Sequence, residues 1–416
     1  MRFVLNGTVV GETVGQAFRD DLRAAGIGDG RHGFEFRLPD VARDAPQILT
    51  VRFADSGALL HGGERLIVQS ALSRSELFGK ALAGGIWMPD KIDVTPATVT
   101  VEGWAVGPAA VSRPFVITHN GAPLQTEICD RPDMTQRLEL SGAQLGFRAV
   151  GPNGDPDAAM QEFAFADART GRPFNRHHTM HVRSSGTPVP DPSQRKRVSS
   201  SEDLGSYAVV GSSAFTRLER VLDEYFGRRI GAGTTLDWGC GCARVFRYLP
   251  EDDLVRFTGI DIDRDNIAWC RAHYPTASFE VVEPRPPTSL PDGAFDLVFG
   301  ISVFTHLTEE NHLEWLAELH RITRPGAAVL VSTHGETAWM LPGYTLERYP
   351  EWRTHGYHVA GKNFDLDEAY ADTSFYFNSF VTRKYIFENW SRWFRVVDVI
   401  DGAISNHQDL VVLERV

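Results

Sequence analysis

The chain has 416 residues, enough on ordinary domain sizes for about two to four domains. With 42% hydrophobic and 23% charged residues it is too apolar for overall disorder. Its 42 Lys and Arg against 54 Asp and Glu give a net charge of −12, which argues against gripping nucleic-acid phosphates or anionic lipid.

No stretch approaches the roughly 18 uninterrupted apolar residues of a membrane helix, so no integral membrane segment is expected. The opening MRFVLNGTVVGETVG has no apolar run of signal-peptide length. Cys129, Cys240, Cys242 and Cys270 are too few for a disulfide scaffold, and the expected location is the reducing cytoplasm.

Up to about residue 185 the pattern is period-two alternation broken by turn residues, as in Phe34–Leu38, Leu49–Phe53 and Thr98–Val101. Asn6-Gly7 and Asn120-Gly121 are hairpin dipeptides, because both central positions of a type I′ turn need positive φ. They sit in a weak internal repeat. Phe3–Gly7, Arg19–Leu22 and Gly33-Phe34 are echoed at Phe115–Gly121, Arg131–Met134 and Gly146-Phe147, at offsets of 112 to 114. Two β modules are expected, 1–85 (either incomplete or completed by a later strand) and 86–185. Residues 186–205, rich in Ser, Pro and charge, read as a linker, with a catalytic α/β domain over 206–416.

Beyond the linker, strands alternate with helices, which predicts βαβ units and a parallel sheet. Ser212 or Ser213 is placed as the cap of a helix burying Phe215, Leu218, Val221, Leu222 and Tyr225. Strands are expected at Thr234–Trp238, Val255–Ile260, Ser278–Val282, Phe295–Ile301 and Ala327–Ser332, with helices at Ala243–Leu249, Arg264–Tyr274 and after Thr308. Phe394–Ile400 and Asp409–Arg415 close the chain as a possible antiparallel pair. Between the last elements, 339–394 is too long for a simple connection and dense in aromatic residues, suited either to stacking on an acceptor or to an extra packed subdomain.

The chemistry concentrates in Asp237-Trp238-Gly239-Cys240-Gly241-Cys242-Ala243-Arg244, a strand entering a glycine turn. Gly239 and Gly241 permit close approach of a ligand, and a following helix would offer free N–H groups. A dinucleotide fingerprint would need Gly or Ala where Arg244 stands. The stretch instead resembles the first motif of class I S-adenosylmethionine-dependent methyltransferases, Asp/Glu-x-Gly-x-Gly-x-Gly, with Ala243 in the last glycine position.

That resemblance implies a Rossmann-like seven-stranded domain and S-adenosylmethionine as cofactor. It places Asp237, Gly239, Cys240 and Gly241 at the cofactor. Asp261, ending the second strand, would hold the ribose, with Asp263 the alternative or else a helix cap. Ile262 would lie beside it, Glu283 near the adenine, and Ile301 and Ser302 near the methyl donor. The end, Asn406–Leu413, resembles the last hairpin of methyltransferases found among polysaccharide-biosynthesis enzymes. Val101-Glu102-Gly103-Trp104-Ala105 and the segments around Arg19–Gly30 and His32–Phe34 resemble "GWA" β-sandwich repeats found beside glycan-tailoring domains.

These likenesses together imply O-methylation of a hydroxyl on a glycan or glycan precursor, with the β modules contacting the acceptor or other glycan-biosynthesis proteins. A neutral hydroxyl is a poor nucleophile and benefits from a base, for which histidine is the usual choice. His306, His334, His355 and His407 are candidates. His306 comes first and His334 second, because both follow carboxyl ends of parallel strands. N- or C-methylation of a small-molecule or lipid-linked acceptor stays open, as does a non-catalytic assembly role. No metal is expected, because no carboxylate cluster accompanies His177-His178-x-x-His181, which reads as a solvated strand end.

Overall fold

The structure is a computed structural model. It describes the chain apart from residues 6–7, most of 17–46, 68–85, 107–114, 138–145, 159, 169–178, 184–187, 341–347, 365, 368–372, 374 and 406. Two compact units are distinguished, one of residues 1–73 with 347–354 and one of 74–346 with 355–416.

The first unit carries a four-stranded antiparallel sheet in the order β2-β1-β3-β4, from β1 (Arg2–Leu5), β2 (Thr8–Glu12), β3 (Gln47–Arg52) and β4 (Leu59–Ile67). Asn6, Gly7 and the segment Phe34–Leu38 fall wholly or partly outside the described residues. The strands flanking Asn6-Gly7 pair with Leu5 opposite Thr8.

The second unit opens with two four-stranded sheets. One is β5 (Ile86–Val94), β6 (Thr98–Val106), β10 (Gly146–Pro152) and β9 (Gln125–Cys129), and the other is β12 (Thr179–Arg183), β11 (Met160–Asp167), β7 (Phe115–His119) and β8 (Ala122–Pro123). A short helix, α1 (Pro132–Arg137), links β9 towards β10. Inward residues of both sheets meet in one core, including Val99, Val101, Ala149, Phe163 and Phe165. Alternation thus buries one face of each sheet, as the period-two pattern requires. Asn120 and Gly121 adopt φ of 47° and 79°, the positive values of the expected hairpin turn.

The segment read as a linker contains a helix, α2 (Pro192–Ser199). Its start was written in the sequence. Asp191 precedes Pro192 at the first helical position, and Gln194 three residues on accepts from the Asp191 N–H at 3.2 Å. The helix α3 (Leu204–Phe226) is then capped by Asp203, well before the expected Ser212 or Ser213, and the Asp203 carboxylate accepts from the Ser206 N–H. The longer helix buries Tyr207 and Val209 as well as the expected Leu218, Val221 and Leu222. Val209 belongs to the core shared by the two preceding sheets.

The seven-stranded sheet runs β15-β14-β13-β16-β17-β21-β20, from β13 (Thr235–Trp238), β14 (Phe257–Asp261), β15 (Ser278–Val281), β16 (Phe295–Gly300), β17 (Thr323–Thr333), β20 (Arg395–Ile404) and β21 (Gln408–Glu414). The first five strands in chain order are parallel, and β21 is antiparallel to both its neighbours, so the closing pair is the expected hairpin. α3 and α4 (Arg264–His273) pack on one face through Leu218, Leu222, Ile267 and Cys270. α5 (Glu309–Ile322) packs on the other through Trp315, Leu316, Leu319 and Ile322. Thr308 caps α5 as expected.

Between β17 and β20 a two-stranded sheet forms from β18 (Tyr357–Lys362) and β19 (Phe377–Val381). It is stitched to the end of β17 by the Val381 N–H donating to His334 O at 2.8 Å. Several of the insert's aromatic residues are packing groups: Trp339 and Trp390 are fully buried. Among the described residues no helix is long and apolar enough to cross a membrane.

Candidate functional site

A cavity of about 520 Å³ opens at the carboxyl ends of β13, β14, β16 and β17, where open α/β sheets bind ligands. Of the residues singled out from sequence, Gly239, Cys240, Gly241, Asp261, Ile262, Ile301, Ser302, His306 and His334 line it, and so does His407. Asp237 is buried behind the wall, and burial raises its carboxyl to about 8 against the opposing pull of the Arg244 guanidinium. Glu283 is exposed and absent from the lining, whereas its neighbours Val282 and Pro284 are present. A side chain at the surface end of this loop points to water, so the adenine contact read for Glu283 has no support in its placement. His355 is also absent from the lining.

The glycine turn differs from the expectation in two respects. No α-helix follows at Ala243–Leu249; the chain makes turns and a single 3₁₀ turn at Phe246–Tyr248. Ala243 has φ of +60°, a left-handed value that interrupts a right-handed helix at its first residue. The turn's N–H groups are also not free. Gly239 N and Cys240 N donate to Ile260 O at 2.8 and 3.1 Å, and Gly241 N donates to Asp261 Oδ2 at 2.7 Å. The glycines therefore serve shape. Gly239 and Gly241 have φ of +75° and +53°, and an added Cβ would lie 2.3 Å from Val303 Cγ2 and 2.5 Å from Val198 Cγ1, respectively.

Asp261 is fixed by the Gly241 N–H on one oxygen and the Asp263 N–H, at 2.8 Å, on the other. Burial raises its carboxyl to about 6. The residue lines the cavity. Asp263 is the cap of α4, accepting from Asp265 N and Asn266 N, both at 3.0 Å, which settles its structural part.

At the opposite side, Ser302 is held at φ +64°, with its N–H donating to Ser332 Oγ at 2.7 Å and its hydroxyl bonded by Gln408 Nε2 at 2.9 Å. Strain of this kind persists only where surroundings over-determine it. Arg244, weighed from sequence only as an obstacle to a dinucleotide fingerprint, is buried in the wall and donates to Ile301 O at 3.1 Å.

His306 Nδ1 lies 3.0 Å from Phe377 O, and His334 Nδ1 lies 3.2 Å from Ser379 O. A carbonyl only accepts, so at His334 Nδ1 carries the proton and Nε2 keeps its lone pair; at His306 the same kind of bond competes with the Asn363 Nδ2 donor, 3.4 Å from Nδ1. Burial lowers His306 to about 4 and His334 well below its usual range. His334 is 3% exposed and stacked on His407, while His306 is more accessible and lies against Tyr376, ring centroids 4.4 Å apart. The insert supplies Asn363, Leu366, Phe375, Tyr376 and Asn378 to the same wall. Their individual parts were not legible beforehand, since only the aromatic density marked the segment. His177 and His178 lie outside the described residues, and His181 Nε2 is 3.5 Å from Glu162.

The sheet order, with β21 inserted antiparallel beside β17, and a cavity at the glycine turn give an open α/β sheet with a ligand site at its carboxyl edge. Residues 236–331 match the family described as methyltransferase domain. The matched segment runs from β13 into β17 of the seven-stranded sheet. A 2-methyl-6-phytyl-1,4-hydroquinone methyltransferase of Synechocystis is 31% identical over 102 residues, 24% of this chain and 31% of that protein. The chain therefore spans about a third of the length of that relative. Among solved structures, a Mesorhizobium loti S-adenosylmethionine-dependent methyltransferase shares 15% identity and a TM-score of 0.37, with 50% of this chain and 100% of that one covered. A Burkholderia thailandensis 1,6-didemethyltoxoflavin-N1-methyltransferase shares 16% and 0.36, with 57% and 95% covered.

Proposed function

We propose that this protein transfers a methyl group from S-adenosylmethionine to a hydroxyl of an uncharged acceptor, and that the acceptor is a glycan or glycan precursor. The residues present fit the cofactor. Gly239, Cys240 and Gly241 shape one wall, and Asp261 offers a fixed carboxylate to a ribose diol. When bound, the cofactor supplies an electrophilic methyl group.

The observation that carries the acceptor reading is the environment of His306. With its proton on Nδ1, bonded to Phe377 O, Nε2 is free to act as a base, and burial lowers the imidazole so that it is neutral at pH 7. In this reading the acceptor hydroxyl donates its proton to that nitrogen as the oxygen attacks, and alignment of oxygen, methyl and sulfur supplies much of the rate. His334, less accessible, packs behind and helps hold the pocket.

Around His306 the described wall consists of imidazoles, the amides of Asn363 and Asn378, and the rings of Phe375 and Tyr376. The charged lining residues are Arg197, Arg244, Asp261 and Asp263, and Arg244 is engaged with Ile301 O. Amides and ring faces without a net charge suit a neutral polyhydroxyl compound. The test is methyl transfer from labelled cofactor to fractionated neutral glycans by wild type, His306→Ala and His334→Ala. A loss of turnover of roughly 10²–10⁴ in His306→Ala alone supports the reading. Full activity in His306→Ala, as an amine acceptor allows, refutes it.

A further inference from the structure

Elements that precede the methyltransferase match reach into its cavity. Met88, on strand β5 of the first sandwich sheet, lines it, and so do Arg197 and Val198 of α2. Nothing in the sequence of 236–331 requires either.

The attachment of α2 is specific. Arg197 Nε donates to Asp263 Oδ2 at 2.7 Å, with the two side chains only 14% and 6% exposed. Gln194 Nε2 donates to Asp265 O at 3.3 Å. Val198 fills the space a Cβ on Gly241 would occupy, and its carbonyl accepts from Arg244. One short helix thus touches both turns that shape the cofactor end, the glycine turn after β13 and the start of α4 after β14.

Strand β5 is held by α3. Gly205 of α3 sits where a Cβ would lie 3.0 Å from Lys91 Cγ, and Val209 is buried in the sandwich core. On the opposite sheet, Ser212 donates to His181 O, and His181 Nδ1 is 3.1 Å from Thr216 Oγ1. Val210, next to Val209, turns into the cavity beside Met88.

We infer that Met88 of the β-sandwich and Arg197–Val198 of the preceding helix form a wall of the cofactor site, so that cofactor affinity depends on residues from outside the methyltransferase match. The sandwich is then part of the catalytic unit and not a detachable arm. Arg197 is a positioning residue, acting through Asp263 and the start of α4. Met88 is a contact residue of the cavity. The inference rests on the cofactor assignment and is independent of the acceptor.

The test is calorimetric binding of S-adenosylhomocysteine to the full chain, which needs no acceptor. Arg197→Ala should weaken binding by at least roughly tenfold, since it removes the cation from a largely desolvated carboxylate and leaves it only the neutral donors of Asp265 and Asn266. Arg197→Lys should recover part of that loss, and Met88→Ala should weaken binding several-fold. Ser193→Ala, on the exposed side of the same helix, should bind as wild type. Affinities of Arg197→Ala and Met88→Ala within about twofold of wild type would overturn the inference, as would an equal loss in Ser193→Ala. If Arg197→Ala does not fold, Met88→Ala and Arg197→Lys decide it by the same criterion. Failure of the unaltered chain to bind would overturn the cofactor assignment and this inference together.

Discussion

Replacing Gly239 by Ala tests the glycine turn more sharply than any change of charge. The new Cβ meets two separate penalties. The backbone stands at φ +75°, where a Cβ costs roughly 1–2 kcal/mol. The same atom would lie 2.3 Å from Val303 Cγ2, and relieving such overpacking typically costs about 1–3 kcal/mol. Together Gly239→Ala should destabilise the chain by about 2–5 kcal/mol and weaken S-adenosylhomocysteine binding, because Gly239 and Val303 both line the cavity. The two penalties separate in a cycle with Val303→Ala. That change removes the clashing methyl and leaves φ untouched, so the double variant should recover the steric part, a coupling of about 1–3 kcal/mol. Urea unfolding followed by tryptophan fluorescence reads the cycle, with Trp238 adjacent to the change. Additivity within about 0.5 kcal/mol would refute the steric argument.

Asp261→Ala should weaken S-adenosylhomocysteine binding by about 1.5–3 kcal/mol, the worth of hydrogen bonds to a charged group, and unchanged calorimetric affinity would reject it as the ribose ligand. Asp409 is buried with its carboxyl raised to about 8. Its unfolded value is about 3.9, so the folded state holds the proton more tightly. That contribution to stability is complete below pH 4 and is lost as pH rises through about 8. Asp409→Asn should flatten the fall in stability between pH 5 and pH 8 measured by denaturant titration, and an unchanged slope would reject the carboxyl as its source. A chain beginning at Leu204 lacks the sheets that cover Val209. It should be poorly soluble and bind S-adenosylhomocysteine weakly, and a soluble fragment with wild-type affinity would restore a boundary near 205.

The strand sequence of the C-terminal half was legible because a parallel strand buried on both faces needs a near-continuous apolar run, and Phe295–Gly300 and Ala327–Ser332 are such runs. The turn at Asn120-Gly121 was legible because few residue pairs tolerate two positive φ values in succession. The glycine turn and Asp261 were legible for a related reason, since close approach and a strand-end carboxylate are properties of single positions. What followed the turn was not. Ala243 is a good helix former, and its left-handed φ is seen only in the folded chain. The cap, proline and glutamine at Asp191–Gln194 announced a helix inside the supposed linker, but a serine- and charge-rich composition outweighed them. The gathering of His306, His334, Asn378 and Met88 around one cavity depends on contacts between residues far apart in the chain. Local propensity and periodicity act over a few residues and fix which segments are strands or helices. Which side chains then share a cavity is decided by how those segments pack, and only the tertiary structure contains that.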